Sequence, residues 1–346
     1  MEIAVIGASG DVGRHLVFEL VKRRIVSVED SILLVGRKEG PSAKSLYGLR
    51  SDLADAYMEV LPEIDVALTP REVKGDLVVM CAGITFPKDP RERAISRRAF
   101  AKKNAQIFES YARALAEGES GKEVVIQVSN PIEIGVHIFS RHLDRQRVIG
   151  MGAYLDSLRF RREIALALGV NRRKVKGFVV GEHGPHLVPL WSTVSIQGFT
   201  PEEERYAIKR IREKESDSEE ALEKVLALLC DEGVEAAFAK VDTLPFDIRP
   251  IVRPFITHYT GSKTIVGPAA TTCDLIGSML REEKLFSTCQ VKVEGEFYGL
   301  YGVFGVPVIL NRRGIEEIHK IPLWEEELEK LKEAVKVINE GIRSLG

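Results

Sequence analysis

An α/β protein is what this sequence predicts, with an N-terminal doubly wound parallel sheet and a C-terminal α+β part. Three observations carry that expectation. Apolar strand-like runs alternate with helical patterns over roughly the first 150 residues. Those runs are continuously apolar, as in strands covered on both faces. The alternation then gives way to a helix, a strand pair, charged helices and a hairpin. A chain of 346 residues exceeds the size at which one core stops growing, so two domains are expected, residues 1–150 and 151–346.

Taken in order, "IAVIG" reads as a strand, "VGRHLVFELVKRR" as a helix and "SILLVG" as a second strand. "DLVVMCAG" and "EVVIQVSN" are further strands around the helix "RAFAKKNAQIFESYARALAEG". From Gly150 the pattern changes to the helix "YLDSLRFRREIALALG", the two apolar runs that flank "GEHGPH", and a charged helical region from Pro201 to about Lys240. The segment "DTLPFDIRPIVRPFITHYTGSKT" is interrupted by prolines and a glycine, has no clear period, and reads as a long connection. An apolar helix "AATTCDLIGSMLR" follows, then the hairpin-like "STCQVKVEGEFYGLYGVFGVPVIL" with a turn at "NRRG". In the last helix Leu328, Leu331, Val335, Ile338 and Ile342 recur at helical spacing.

Composition narrows the function. A formal net charge of -2 lacks the basic surplus that nucleic acid or an anionic membrane calls for. No stretch approaches the ~20 apolar residues of a membrane span, so a small-molecule partner is expected. Cys81, Cys230, Cys273 and Cys289 form no CxxC pair and mostly sit in apolar runs, as buried, reduced thiols of a cytoplasmic protein do. The opening "MEIAVIGASG" places a strand where a signal peptide would need a charged and then a longer apolar region. Only five Asn and five Gln stand against 49 Lys and Arg and 51 Asp and Glu, a balance that resembles thermophile proteins. The thermal unfolding midpoint is accordingly expected above ~80 °C; a calorimetric transition near ~55 °C, in the mesophile range, would contradict this.

The glycine turn "VIGASGDVG" follows a strand and opens a helix. Gly7, Ala8, Ser9, Gly10, Asp11, Val12 and Gly13 make a tight turn whose backbone can approach a pyrophosphate at a helix N-terminus. The second strand ends "LLVGRKEG". Gly36 stands where an NAD site would carry a carboxylate for the ribose 2′-OH, and Arg37 and Lys38 supply positive charge where a 2′-phosphate would lie. This favours NADP, with NAD the alternative.

"YLDSLRFR" sets Asp156 and Arg159 three apart on one helix face. Alone, such a pair is most often a surface ion pair worth little. With "GEHG" some 27 residues on, Asp156 can orient a histidine and Arg159 can bind an anion. His183 lies in a loop at a strand end, where catalytic side chains concentrate, and an ordinary pKa of roughly 6.5 lets it exchange a proton near neutrality. His186 follows a proline and reads as local structure. The basic stretch "FPKDPRERAISRRAFAKK" lies on the ligand side of the sheet, so Arg91 and Arg97 are candidates to bind a small acid through bidentate guanidinium contacts. Asn130 closes a strand, where its amide can serve a substrate or a nicotinamide. No metal-ligand cluster is visible.

These residues, in this order, resemble the lactate and malate dehydrogenase family over nearly the whole chain. "GASGDVG", the "SNP" triplet, "LDSLRFR", and "GEHG" followed by "VPLWS" carry the resemblance jointly, and "VGRK" looks like the archaeal, NADP-using malate dehydrogenases. The resemblance implies an N-terminal Rossmann domain, a C-terminal substrate domain, and a homodimer or homotetramer. It implies His183 as proton acceptor, Asp156 as its orienting partner, Arg159 as the clamp on the substrate's C1 carboxylate and Arg97 as the group polarising the carbonyl. Asn104, Asn130 and Val128 fall at the cofactor end of the site. Arg91, six positions before Arg97, falls at the far end of the substrate as in the malate pattern, with Lys88 the alternative under a different gap placement. The expected reaction is reversible hydride transfer between NADP(H) and malate and oxaloacetate, with lactate or another 2-hydroxy acid as the rival substrate.

The chain departs from the family at three places: the loop from Gly83 to Arg91 is longer, Pro185 replaces the usual acidic residue after "GEHG", and the stretch from about Glu232 to Tyr259 is extended. Two rivals of other classes are weaker. NAD-dependent glycosidases of this superfamily carry a metal-binding Cys near the Asn-Pro motif, where this chain has Ser129. A non-catalytic NADP-binding regulator has no use for His183, Asp156 and Arg159 together.

Overall fold

The computed structural model describes residues 1–85, 93–118, 121–212, 218–260, 264–281 and 284–345, with the side chains of 93–98 outside the description. The chain begins with β1 (Glu2–Ile6), α1 (Asp11–Lys22), β2 (Ser31–Val35), α2 (Ser42–Tyr57), β3 (Glu63–Ala67) and β4 (Leu77–Met80). Next come α3 (Arg93–Ala116), β5 (Val124–Gln127), α4 (Ile132–His142) and β6 (Val148–Gly150). These strands pair in parallel in the order β3-β2-β1-β4-β5-β6. The continuous apolar character of the strands has its reason in the packing. Ile3 and Val5 enter one core while Ala4 and Ile6 enter the other, so neither face of β1 meets water. Strand order reverses between β1 and β4, and that switch point opens a crevice at the carboxyl ends of the strands.

The second half contributes α5 (Gly152–Leu168), β7 (Val175–Gly181), β8 (Leu187–Ile196), α6 (Pro201–Ile211), α7 (Ser218–Asp231), α8 (Val234–Thr243), α9 (Arg249–Tyr259) and α10 (Val266–Leu280). The strands β9 (Leu285–Glu294), β10 (Tyr301–Asn311) and β11 (Gly314–Ile318) and the helix α11 (Glu325–Arg343) end the chain. The antiparallel β9-β10-β7-β8 strands continue the sheet beyond β6 through Gly150 and Gln290, and β11 pairs with β10. The fold is a Rossmann-type parallel sheet followed by an α+β part, as the sequence predicts. Leu331, Val335 and Ile338 bury one face of α11, and Glu327 is 2% exposed because its carboxylate accepts the backbone N–H and hydroxyl of Ser192 on β8, at 2.9 and 2.6 Å.

One element differs from the sequence expectation. The proline-interrupted segment read as a long connection holds α9. Pro250 sits in its first turn, where no backbone N–H is needed, and Pro254 costs one internal hydrogen bond. The helix persists because Ile251, Val252 and Ile256 are buried and because Arg249 and Arg253 reach the fully buried Glu163 of α5, at 3.8 and 3.7 Å.

The cysteines differ in part from the expectation: Cys273 and Cys289 are buried, Cys81 and Cys230 only half-buried, and all four are free. Among the described residues no helix is long and apolar enough to cross a membrane.

Candidate active site

His183 sits in the turn between β7 and β8, and α5 runs beneath it. Its Nδ1 lies 2.6 Å from Asp156 Oδ2, and Arg159 Nη1 donates to the other oxygen, Oδ1, at 2.7 Å. The (i, i+3) pair read from the sequence is therefore made, but not at the surface: Asp156 is 2% exposed and Arg159 16%. Burial acts to raise the Asp156 carboxyl, yet the charges of His183 and Arg159 and their hydrogen bonds outweigh it and hold the carboxyl below its ordinary value. Burial acts to lower His183, and the Asp156 charge and hydrogen bond overcome it, so the imidazole sits above its ordinary value. Burial brings Arg159 down, with Asp156 opposing.

The ring also requires space. A Cβ at Gly152, the first residue of α5, would lie 2.5 Å from His183 Cγ, so glycine there lets the imidazole rest on the helix start. From the other side the His183 backbone N–H donates to Glu133 Oε1 of α4 at 2.7 Å. Neither Gly152 nor Glu133 stood out in the sequence.

A cavity of about 120 Å³ lies against this cluster, bounded on one side by Asn130, Asp156, Arg159 and His183. Its other wall is α9, through Pro250, Ile251, Pro254, Phe255, His258 and Tyr259. The segment that had no functional reading thus forms half of the pocket. Asn130, His258 and Thr264 also border a second space of about 310 Å³, which runs from Gly10, Asp11 and Val12 past Gly83 and Val128.

The glycine turn that heads this groove is tight. Gly7 has φ 84°, and a Cβ there would meet the backbone of Ala82 at 2.7 Å. Ala8 is buried, and its N–H, like that of Gly7, donates to Val35 O. Gly13 packs against this turn inside α1. Ser9 bonds Ser42 at 2.8 Å, and Ser42 also accepts from the Arg37 N–H at 3.1 Å. Gly36 is buried at the end of β2, and Arg37 and Lys38 lie exposed beyond it. A groove headed by a helix N-terminus and floored by backbone fits a dinucleotide.

Asn104 is fully buried with its amide committed to backbone. It donates to Asn130 O at 2.7 Å and Ile84 O at 3.1 Å, and accepts from Ile84 N–H at 2.7 Å, so it ties the loops after β4 and β5 together. Arg97 lies on α3, but its side chain is outside the described atoms. Arg91 and Lys88 lie outside the described residues. Among the described residues no group of three or more His, Cys, Asp or Glu is placed to hold a metal ion.

Comparison with known proteins agrees with this geometry. The profile of the "lactate/malate dehydrogenase, NAD binding domain" matches residues 1–150, and that of the "lactate/malate dehydrogenase, alpha/beta C-terminal domain" matches residues 255–345. An L-2-hydroxycarboxylate dehydrogenase (NAD(P)(+)) of Methanocaldococcus jannaschii is 30% identical, over 98% of this chain and 97% of its own. A malate dehydrogenase of Methanothermobacter thermautotrophicus is 28% identical over 99% and 96%. The fold is shared with a malate dehydrogenase of Plasmodium falciparum (TM-score 0.75, 21% identity, 100% and 98% of the two chains). It is shared too with a lactate dehydrogenase of Cryptosporidium parvum (TM-score 0.74, 23%, 99% and 97%). The chain belongs to the lactate/malate dehydrogenase family and is an NAD(P)-dependent 2-hydroxyacid dehydrogenase.

Proposed function

We propose that this protein is a malate dehydrogenase that prefers NADP(H), with residues 1–150 holding the cofactor and residues 151–346 most of the substrate pocket. The observation that carries the chemistry is the buried Asp156–His183 pair with Arg159 on the same carboxylate. Asp156 holds Nδ1, which leaves Nε2 as the ring nitrogen for the substrate. In malate oxidation His183 takes the hydroxyl proton; in oxaloacetate reduction the imidazolium returns it to the ketone oxygen. A bound nicotinamide supplies the hydride acceptor or donor. Arg159 binds the C1 carboxylate, Arg97 polarises the C2 oxygen, and the apolar α9 wall keeps water from the reacting atoms. The small dicarboxylic acid is recognised at its far end by Arg91. The protein works in the cytoplasm as a homodimer or homotetramer.

The malate and cofactor readings are tested together by following oxidation of NADPH and of NADH with oxaloacetate, with pyruvate and with buffer alone. The reading expects oxaloacetate with NADPH to be fastest; a rate no faster than buffer alone with either acid would remove it.

Support for NADP rests on Gly36, Arg37 and Lys38. Arg37→Ile with Lys38→Ala is expected to raise the KM for NADPH ~10-fold or more and to leave that for NADH nearly unchanged, since a charge-assisted bond to a phosphate is worth about 1.5–3 kcal/mol. Adding Gly36→Asp should favour NADH further by supplying a ribose acceptor. That third change has a steric cost, because a Cβ at position 36 would meet Leu46 Cδ1 at 2.6 Å and the Ser42 hydroxyl. Equal KM values for NADPH before and after the double change would place the cofactor's specificity elsewhere.

A further inference from the structure

His183 is held at two points from two different helices. Asp156 of α5 takes the ring Nδ1, and Glu133 in the first turn of α4 takes the backbone N–H through Oε1 at 2.7 Å. Glu133 is 6% exposed. Its position is odd for a carboxylate, because a neutral acceptor such as a glutamine could take the same N–H without burying a charge.

His183 also borders a further space of about 570 Å³, which shares Asn130, Gly184 and Phe255 with the cavity beside Arg159. Glu133, Glu182, His186 and Glu340 border it among mostly apolar neighbours such as Phe100, Ile134 and Ile338. Glu182 in turn accepts the His186 N–H at 3.0 Å, closing the loop that carries His183.

We propose that Glu133 is a positioning residue for proton transfer: its carboxylate anchors the backbone of His183, and its negative charge, added to that of Asp156, favours the imidazolium. The inference rests on the reading of His183 as the acid–base group. Burial first, and the nearby Glu182 charge second, push the Glu133 carboxyl up to about 7, with the bond from the His183 N–H opposing. Glu133 therefore changes charge in the pH range where His183 works. The groups that face it among the described residues are Glu182, His183 and His186 of the loop, Asp156 and Arg159 of α5 beyond the ring, and Glu340 of α11 across the space.

The signs follow from these positions. As pH rises through about 7, Glu133 ionises and adds negative charge beside the imidazole, which keeps His183 protonated to higher pH. The same ionisation is unfavourable to the fold, because a carboxyl raised in the native state binds its proton more tightly there than in the unfolded chain.

Glu133→Gln keeps an acceptor for the His183 N–H and removes the charge. It is expected to move the alkaline limb of kcat/KM for keto acid reduction to lower pH by roughly half a unit, and to raise the unfolding midpoint at pH ~8 relative to the parent. Glu133→Asp keeps the charge on a shorter arm and is expected to hold the limb near the parent while lowering kcat. A purely structural acid predicts the reverse for the glutamine: a lower midpoint and an unmoved limb. That result overturns the inference, as does a Glu133→Asp limb that moves as far as that of the glutamine. If His183→Asn retains turnover, the acid–base reading falls and this inference with it. If His183→Asn is inactive and the Glu133→Gln limb is unmoved, the inference falls alone.

Discussion

Replacing His183 with asparagine is expected to lower turnover at least ~100-fold while leaving reduced-cofactor binding nearly intact. General acid–base catalysis contributes 10²–10⁴-fold, and His183 brings to the cavity an imidazole held by a buried carboxylate. Cofactor binding is expected to survive because the glycine turn and the end of β2 are built from other elements. The fold is expected to survive because Asp156 keeps Arg159 at 2.7 Å, so no buried charge is left alone. The pH dependence follows in sign. Asp156 raises His183, so its imidazolium persists above pH ~6.5. Keto acid reduction, which needs the proton, should hold at low pH and fall as pH passes the raised value; hydroxy acid oxidation should rise over the same range. Near-normal turnover in His183→Asn would remove the assignment, and fluorescence titration with NADPH separates a catalytic loss from a binding loss.

The second large effect concerns the choice of acid. The parent is expected to prefer oxaloacetate over pyruvate by ~10³ or more in kcat/KM. A guanidinium at the far end of the pocket would pair with the C4 carboxylate, whereas pyruvate offers a methyl and would leave that charge enclosed and unpaired, at a cost of several kcal/mol. Arg91, six positions before Arg97, is the residue assigned that role, and Arg91→Gln should erase most of the preference while Lys88→Gln leaves it. A lysine would attract the carboxylate only as a point charge, without the bidentate geometry. Collapse of the preference in Lys88→Gln instead would transfer the role to Lys88 and keep the malate reading. A parent that prefers pyruvate would remove that reading.

The parts of the fold legible in the sequence are those whose signals are local. "VIGASGDVG" states a strand, a turn at Gly7 and a helix start within a few residues. The apolar runs of β1, β2, β4 and β5 announce a sheet buried on both faces. His183 and Asp156 were legible because each lies within a short motif, although 27 residues separate them. What escaped reading is tertiary. Glu133 and His183 stand 50 positions apart, and nothing in "NPIE" reports that its acid will cap a distant backbone N–H. Gly152 is one more glycine until His183 is seen resting on it. The helix α9 was hidden by Pro250 and Pro254, whose local preference against helix is overridden by the burial of Ile251, Val252 and Ile256 and by the arginines that meet Glu163. The family resemblance alone puts Asn104 at the cofactor end of the site, and its side chain is spent joining two loops.

The proposed role of His183, charged by its contact with Asp156, is to give its proton to a keto acid as the nicotinamide is oxidised. Its most direct test is the pH profile of kcat/KM for oxaloacetate reduction in the parent and in Asp156→Asn. Removing the carboxylate takes away what raises His183, so a much lower rate and an alkaline limb displaced to lower pH are expected. An Asp156→Asn enzyme whose rate and limb both match the parent would contradict it.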